Sequence, residues 1–112
     1  MTGEGQSDLV ARLRSGDETA LTELYDATVR RAFGLAYRVL GDGAAAEDVL
    51  QAAYLRLWEQ AEQLDEARGS VEGLLMTIVH RRAVDAARAR ARDRGRTDSL
   101  EARATPVDPP DD

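Results

Sequence analysis

Apolar side chains recur at intervals of three and four residues along most of residues 8–84, which is the spacing of an amphipathic helix. The longest such stretch predicts a helix that Asp17 caps and that the sequence Gly41-Asp42-Gly43 ends. Before it, Ser7 can cap a short helix that ends at Gly16. The apolar positions are Leu9, Val10 and Leu13 in the short helix, and Leu21, Leu24, Tyr25, Thr28, Ala32, Phe33, Leu35, Ala36, Val39 and Leu40 in the long one.

Two further helices follow with the same spacing. Asp42 can cap a helix over residues 44–63, and a last helix begins near Val71 after a polar connector formed by residues 64–70. Beyond Val84 the last helix consists mostly of Ala and Arg, so we expect it to extend from the core with its arginines in solvent. The predicted buried positions are Ala46, Val49, Leu50, Ala53, Leu57 and Ala61, flanked by Tyr54 and Trp58, and then Leu74, Leu75, Ile78, Val79 and Ala83.

No stretch alternates apolar and polar residues with a period of two, so no strand is predicted. The sequence therefore predicts an all-α fold, a compact bundle of three main helices plus a short N-terminal helix, in one domain over residues 1–94. From Gly95 onward, prolines and acidic residues predict a disordered acidic tail or linker over residues 95–112.

The residue types present exclude several classes of site. The chain has no Cys, so it has no thiolate metal ligands, and a single His80 cannot form a His-rich metal site. No apolar run approaches the roughly 20 residues of a membrane-spanning helix. The polar N-terminus differs from a signal peptide, so we expect a cytoplasmic protein without membrane contact. The sequence contains no nucleophile–base pair, phosphate-binding glycine loop or metal-ligand cluster, so neither an enzyme nor a cofactor is expected.

Charge is distributed unevenly along a chain whose net charge is −6. Residues 1–80 contain 7 Arg and 14 acidic residues, and residues 97–112 contain 1 Arg and 5 acidic residues. Between them, residues 81–96 contain 7 Arg and 2 acidic residues, a balance of +5. A short basic segment within an acidic chain indicates two different partners, or an acidic tail that competes with nucleic acid.

Two segments of the chain form a recognisable pair. The first is AEDVLQAAYLRLWE at residues 46–59, and the second is GSVEGLLMTIVHRRAVDAARAR at residues 69–90. With the preceding LTELYDATVRRAFGLAYRVLGD at residues 21–42, they resemble region 2 of the sigma-70 family of RNA polymerase sigma factors, and most closely its extracytoplasmic-function (ECF) group. The resemblance extends over residues 8–92. It implies a transcription initiation factor domain that binds core RNA polymerase and recognises and melts the promoter −10 element.

The resemblance implies that the first segment docks on a coiled coil of the largest catalytic subunit of RNA polymerase. The residues that match the docking positions are Asp48, Gln51, Tyr54 and Leu55. Polar groups on the outside of a rigid helix can hydrogen-bond a partner helix, while adjacent apolar groups supply contact area. Ala52 stands where the family often has Glu, so the contact is expected to be weaker or redistributed. By pattern alone, these positions also fit a solvated helix face.

The resemblance also implies that the connector and the second segment hold the single-stranded, non-template strand of the −10 element, with one base flipped into a pocket. Arg68 and Ser70 lie in the connector that is expected to select the base, and His80 is a candidate for stacking or hydrogen bonding with a base. The residues alone also allow a partly buried structural His80 and an arginine segment that is only a solvated helix. The predicted phosphate contacts are Arg81, Arg82, Arg88, Arg90 and Arg92.

Three features differ from the family pattern or from full-length sigma factors. Leu74 stands where the family usually has Trp, which we interpret as a core substitution. Ile78 and Val79 occupy about the positions of the aromatic pair with which primary sigma factors wedge the duplex open. The ECF group also lacks that pair, which implies weak melting power. Nothing after Gly95 resembles the C-terminal helix-turn-helix domain that reads the −35 element, so a partial chain is expected.

ECF factors are commonly held by anti-sigma factors, so the resemblance also implies an anti-sigma factor as a partner. The alternative to a promoter-binding factor is a helical protein-interaction module, of the anti-sigma-binding or adaptor type, without DNA recognition of its own. Binding to core RNA polymerase separates these two hypotheses.

Overall fold

Over residues 2–100 the chain forms four α-helices joined by short turns. The computed structural model describes the backbone of residues 2–100 and the side chains of residues 8–65 and 67–95. This part of the chain contains no strand, so the predicted all-α fold of three main helices and a short N-terminal helix is confirmed. The helices are α1 (Thr2–Arg14), α2 (Glu18–Leu40), α3 (Gly43–Glu59) and α4 (Val71–Leu100), and two 3₁₀ turns, Ala61–Gln63 and Glu66–Arg68, lie between α3 and α4.

The start of α1 and the end of α3 differ from the predicted boundaries. α1 begins before Ser7, which therefore lies within the helix and is not its cap. The apolar spacing that predicted this helix starts only at Leu9, so it contains no information about the earlier turns. α3 ends at Glu59, because residues 61–63 tighten into a 3₁₀ turn instead of continuing the α-helix.

α4 is the longest helix and continues past Gly95 to Leu100, so the predicted start of the tail falls inside it. A single glycine costs a helix only about 1 kcal/mol, and the flanking Ala and Arg residues are strong helix formers. The rest of the predicted tail, residues 101–112, lies outside the described residues. Neither α4 nor any other described helix is long and apolar enough to cross a membrane.

The predicted caps of α2 and α3 are present. Asp17 accepts a hydrogen bond at 2.9 Å from the amide two residues later, and Asp42 accepts the equivalent bond at 3.0 Å. α2 ends at Leu40 and is capped by Gly41, which has a φ of 67° and whose amide donates to the Tyr37 carbonyl at 2.7 Å. An aspartate cap of this kind stabilises a helix by about 1 kcal/mol.

The buried apolar residues form two clusters along the bundle. The three-helix cluster lies between α2, α3 and α4 and is rich in alanine, so these helices can approach closely. The connector cluster lies where α1 and the connector meet α2, α3 and the start of α4. Ile78 packs against both. The three-helix cluster consists of Ala32, Ala36, Ala46, Val49, Leu50, Ala53, Tyr54, Leu75, Val79 and Ala83, and the connector cluster of Val10, Leu13, Ala20, Leu24, Leu57, Ala61, Leu64 and Val71.

One buried polar pair joins α2 to α3. Thr28 is 1% exposed, and its Oγ1 lies 2.7 Å from the Leu24 carbonyl oxygen and 2.6 Å from the Tyr54 hydroxyl. Because a carbonyl can only accept, Thr28 donates its single proton to Leu24, and the Tyr54 hydroxyl donates to Thr28. Burial raises the pKa of Tyr54 above its ordinary value, so the phenol keeps the proton that it donates.

A surface ion network fastens α1 to α2. Arg12 Nε donates to Asp17 Oδ2 at 2.9 Å, and the two terminal nitrogens of Arg12 donate to the two carboxylate oxygens of Glu23 at 3.1 and 2.7 Å. Asp8 lies 3.6 Å from the same guanidinium. The hydrogen bonds from Arg12 hold the pKa of Asp17 and of Glu23 below its ordinary value. We call these four residues the Arg12 network.

Candidate functional site

A pocket of about 220 Å³ lies where the connector joins α4. Val10, Leu64 and Leu74 contribute apolar surface to it, whereas Arg68 and Ser70 contribute polar groups. The structure therefore brings the two predicted base-selecting residues, Arg68 and Ser70, into the lining of one pocket, which we call the connector pocket. Its lining combines apolar walls with a few polar groups, as small-molecule sites generally do.

The connector is shaped by local turns and caps. Asp65 Oδ1 accepts a hydrogen bond from the Ala67 amide at 2.9 Å, and Gly69 adopts a φ of 116°, which disfavours a side chain at this position. Ser70 Oγ accepts a hydrogen bond from the Gly73 amide at 2.9 Å and thereby caps α4. Because a hydroxyl also donates, Ser70 can cap the helix and hydrogen-bond a ligand in the pocket at the same time.

Leu74 lies on this pocket and is 40% exposed, so its interpretation as a core substitution is wrong. Its neighbour Leu75 occupies the buried position and is fully buried in the three-helix cluster. The two leucines are one residue apart and therefore about 100° apart around the helix. Apolar spacing could not decide which of them faces the core.

A row of exposed arginines continues from the pocket along α4. Arg81 is seven residues, or about two turns, beyond Leu74, Arg88 is about two turns further, and Arg92 is about one turn beyond Arg88. All three side chains are exposed on one face of the helix. At 1.5 Å per residue, the distance along the helix from Leu74 to Arg92 is about 27 Å. We call Arg81, Arg88 and Arg92 the arginine stripe.

The remaining predicted DNA-binding residues of α4 point in other directions. His80 and Arg82 are exposed, and each lies about 100° around the helix from Arg81, on opposite sides of the stripe. The exposure of His80 argues against the alternative of a partly buried structural histidine. Arg90 faces α2, where its Nη2 lies 3.2 Å from Asp42 Oδ2 and its Nη1 donates to the Leu40 carbonyl at 3.5 Å. Arg90 therefore holds α4 against the α2–α3 turn.

The predicted docking residues divide into exposed and buried positions. Asp48, Gln51 and Leu55 lie on the outer face of α3, and Leu55 is 56% exposed. Tyr54 is only 6% exposed, and its hydroxyl is bonded to Thr28. We call Asp48, Gln51 and Leu55 the docking face. Tyr54 supports this region from the core, and its hydroxyl has an intramolecular partner.

A groove of about 630 Å³ between α2 and α3 borders the docking face. Tyr25, Phe33, Gln51 and Tyr54 line it, and the rings of Tyr25 and Tyr54 lie 5.0 Å apart. Tyr37 stacks on Phe33 at a centroid distance of 5.9 Å. Tyr25 and Tyr37 are 45% and 48% exposed. We call this region the aromatic groove.

The aromatic groove was not predicted, although the sequence contains a signal for it. The chain has only five aromatic residues, and four of them lie in or beside the groove. Tyr25 and Phe33 satisfy the helical spacing and were placed on the apolar stripe of the long helix, which by itself does not indicate a groove. Such aromatics at the edge of an apolar stripe are equally compatible with an exposed surface, since tyrosine tolerates partial contact with water.

Comparison with known proteins adds the family. The Sigma-70 region 2 family matches residues 24–93, which is more than half of the chain. The chain belongs to this family. The ECF RNA polymerase sigma factor SigK of Mycobacterium tuberculosis strain H37Rv is 41% identical over 100% of this chain, which covers 62% of SigK.

Two further relatives of this region 2 domain bear the same name, ECF RNA polymerase sigma factor SigK. The protein of Mycobacterium ulcerans is 40% identical over 80% of the chain, which covers 50% of that relative. The protein of Mycolicibacterium vanbaalenii is 38% identical over 93% of the chain, which covers 52% of that relative. The domain therefore spans between 50% and 62% of the length of these curated relatives. The segment that matches the family includes the connector, the arginine stripe and the docking face, whereas α1 precedes it.

Proposed function

We propose that this region 2 domain acts in transcription initiation in the cytoplasm, where it binds core RNA polymerase and recognises and melts the promoter −10 element by capturing the non-template strand. The observation that supports this proposal best is the continuity of the connector pocket with the arginine stripe. Leu74 lies on the pocket, and Arg81 follows on the same face about two turns later. A strand whose base enters the pocket can therefore lay its phosphates along the stripe.

Capture of a single strand can open a duplex without an aromatic wedge. Val79 is fully buried and Ile78 is half-buried between the two clusters, so neither side chain can enter a base stack. In the proposed mechanism, the pocket binds only an unstacked base and so shifts the equilibrium toward open DNA. Unstacking costs a few kcal/mol per base, which contacts along the strand and with polymerase must offset.

The proposed base contacts come from the connector. Arg68 is exposed at the pocket and presents up to five N–H donors to a base edge or a phosphate. Ser70 offers one hydroxyl donor while it caps α4. His80 lies on a flank of the arginine stripe, where an exposed imidazole can stack on a neighbouring base. These groups would select the base, while the arginine stripe contributes affinity that is independent of sequence.

The proposed polymerase surface combines the docking face with the aromatic groove. Asp48 and Gln51 offer polar groups to a partner helix, and Leu55 offers exposed apolar area. Tyr25 extends this surface onto α2, and tyrosines are enriched among the residues that dominate binding at protein interfaces. The proposed partner is the coiled coil of the largest catalytic subunit.

A pull-down of bacterial core RNA polymerase by the 112-residue chain tests the polymerase part of the proposal. Asp48→Ala combined with Gln51→Ala should reduce the amount of polymerase retained without changing the circular dichroism spectrum, because both side chains are exposed. Arg56→Ala, an exposed position on another face of the same helix, is the matched control. Normal retention by the double variant would contradict the assignment of the docking face.

Fluorescence anisotropy with labelled oligonucleotides tests the DNA part. The chain should bind the non-template −10 sequence more tightly as a single strand than as a duplex. The logarithm of the affinity should fall with the logarithm of salt concentration, with a slope of about −0.7 for each phosphate neutralised. Equal affinity for single and double strands would contradict capture of the open strand.

The aromatic groove also favours a second candidate function, a helical protein-interaction module that binds an anti-sigma factor or an adaptor. Exposed tyrosines beside an apolar groove suit many helical partners. Under this alternative, the chain binds a protein partner but neither core polymerase nor single-stranded DNA. The two experiments above therefore distinguish the candidates.

A further inference from the structure

Helix α1 forms part of the connector pocket although it precedes the residues that match the family. Val10 lines the pocket directly. Val10 and Leu13 are both buried in the connector cluster together with Ala61 and Leu64. Leu64 is the first residue of the connector, and Ala61 lies in the 3₁₀ turn before it. α1 also packs on both 3₁₀ turns that lead from α3 to α4. The shape of the pocket therefore depends on where α1 lies.

The hydrogen bonds of the connector do not fix its distance from the helices. The Leu64 amide donates to the Ala61 carbonyl at 3.1 Å, and the Arg68 amide donates to the Asp65 carbonyl at 3.0 Å. The side-chain bonds of Asp65 and Ser70 likewise join near neighbours. These described bonds hold the internal shape of the connector. Its placement against the bundle depends on the burial of Leu64 in the connector cluster, to which α1 contributes Val10 and Leu13 beside residues of α2, α3 and α4.

Arg12 is the polar group that holds α1 in register with α2. Its carboxylate partners lie on both sides of the α1–α2 turn, because Asp8 is on α1, Asp17 caps α2, and Glu23 is one turn and a half into α2. The pair of bonds to Glu23 uses both carboxylate oxygens, and such a bidentate pair fixes orientation as well as distance. Arg12 itself does not line the pocket.

We propose that Arg12 is a positioning residue for base recognition. By fastening α1 to α2, Arg12 holds Val10 against the connector and keeps the pocket in the shape that distinguishes one base from another. The inference rests on the proposed capture of a base in this pocket, and it assigns to α1 a part in promoter recognition. It separates two properties of DNA binding: Arg12 should affect base selectivity, whereas the arginine stripe should determine the salt dependence.

The test measures base selectivity with the complete 112-residue chain. Single-stranded oligonucleotides with a randomised central hexamer are first selected for binding to the wild-type chain. The best sequence is then synthesised with each of the four bases at every position in turn, and the position with the largest spread of affinities serves as the probe. Affinities for the four probe oligonucleotides are measured by anisotropy for the wild type, Arg12→Gln, Arg12→Lys and Arg14→Gln. Circular dichroism sets a temperature at which all four chains are folded.

Arg12→Gln should reduce the ratio of affinities between the best and worst base by roughly three- to tenfold. Its salt slope should equal that of the wild type, because the stripe is intact. Arg12→Lys should restore part of the selectivity, since it keeps the charge but not the bidentate geometry. Arg14→Gln, at an exposed position two residues later on the same helix, should retain the full ratio.

An unchanged ratio in Arg12→Gln, accompanied only by a lower melting temperature, would overturn the inference, because Arg12 would then stabilise the fold without positioning the pocket. If the wild-type chain itself showed no base selectivity, the proposed function would fail first, and the inference with it. Should Arg12→Gln fail to fold, Glu23→Gln replaces it, since that variant keeps the bond to Asp17 and should reduce the ratio in the same direction.

Discussion

The same pairing of a capping aspartate with an arginine occurs at both ends of the bundle, at the connector and at the opposite α2–α3 turn, but with different numbers of ionic contacts. In each, an aspartate caps a helix with one carboxylate oxygen and accepts a hydrogen bond from an arginine with the other. At the connector end, Asp17 caps α2 and binds Arg12, which also binds two further carboxylates. At the opposite end, Asp42 caps α3 and binds Arg90 at 3.2 Å.

The difference follows the apolar packing. The three-helix cluster joins three long helices through closely packed, alanine-rich faces, so their positions are determined without an ion network. α1 is a short terminal helix, and among its described residues only Val10 and Leu13 are buried. Because α1 buries only these two of its described side chains, the Arg12 network adds the contacts that set the register of α1 on α2. The proposed base pocket lies at the connector end of the bundle.

Truncation of a buried side chain in the three-helix cluster should have the largest effect on stability. Leu75→Ala should lower the free energy of unfolding by about 2–5 kcal/mol, because it removes a fully buried side chain and leaves a cavity. Leu55→Ala, which alters a side chain that is 56% exposed, should change it by less than about 0.5 kcal/mol. Urea denaturation followed by circular dichroism measures both. Similar losses in the two variants would contradict the burial of Leu75 in a packed core.

The buried polar pair of Thr28 and Tyr54 allows a finer prediction about its hydrogen bonds. Thr28→Val should destabilise the domain by about 1–3 kcal/mol, because it leaves the buried Tyr54 donor without an acceptor. Tyr54→Phe should cost less, about 0.5–1.5 kcal/mol, since Thr28 remains bonded to the Leu24 carbonyl. Urea titrations give the order of the two losses. The reverse order would indicate that Thr28 donates to Tyr54.

Two neighbouring arginines of α4 should behave differently. Arg88→Ala should weaken binding to all single-stranded sequences alike and reduce the salt slope by about 0.7, because Arg88 belongs to the arginine stripe. Arg90→Ala should leave the slope unchanged and lower stability by about 0.2–1 kcal/mol, because its partly exposed partner is Asp42. Anisotropy at several salt concentrations and thermal melting separate these effects. Equal changes in slope would show that Arg90 leaves Asp42 to contact DNA.

Acid should reduce the stability that the Arg12 network contributes, and this effect should be smaller than those of the substitutions above. Arg12 holds the pKa values of Asp17 and Glu23 below the usual value of about 4, so the network contributes fully above that pH. The contribution is lost as the pH falls through the lowered values. The difference in melting temperature between the wild type and Arg12→Gln should therefore be largest near neutral pH and shrink below about pH 4. A constant difference would indicate that Arg12 acts through its aliphatic stem.

The helices and their caps could be predicted because both depend on near neighbours in the sequence. Asp17, Asp42 and Gly41 each act within a few residues of their own positions, so local composition contained the information. The choice between Leu74 and Leu75 as the buried leucine depended on where α2 and α3 lie, and this is not a local property. Apolar spacing therefore placed the helix correctly but not the exposure of Leu74.

The sequence predicted which segments form the candidate site, but not which of their side chains share one exposed surface. The basic composition of α4 does not distinguish Arg88 from Arg90, although a spacing of seven from Arg81 does select Arg88 and not Arg90. Asp42, the partner of Arg90, is 48 residues away in sequence, so no local pattern indicates the contact. Tyr54 matches the docking positions of the family motif, but it is 6% exposed because its ring packs between α2 and α3, where its hydroxyl bonds to Thr28.

The self-contained turns of the connector have an evolutionary consequence. Asp65, Gly69 and Ser70 hold its path through a carboxylate, a left-handed backbone and a helix cap, whereas the side chain of Arg68 is exposed at the pocket. Substitutions at such an outward position leave the supporting turns intact. Under the proposed function, related domains can therefore diverge in the sequences they prefer by exchanging one or two side chains, without acquiring compensating changes in the bundle that supports them.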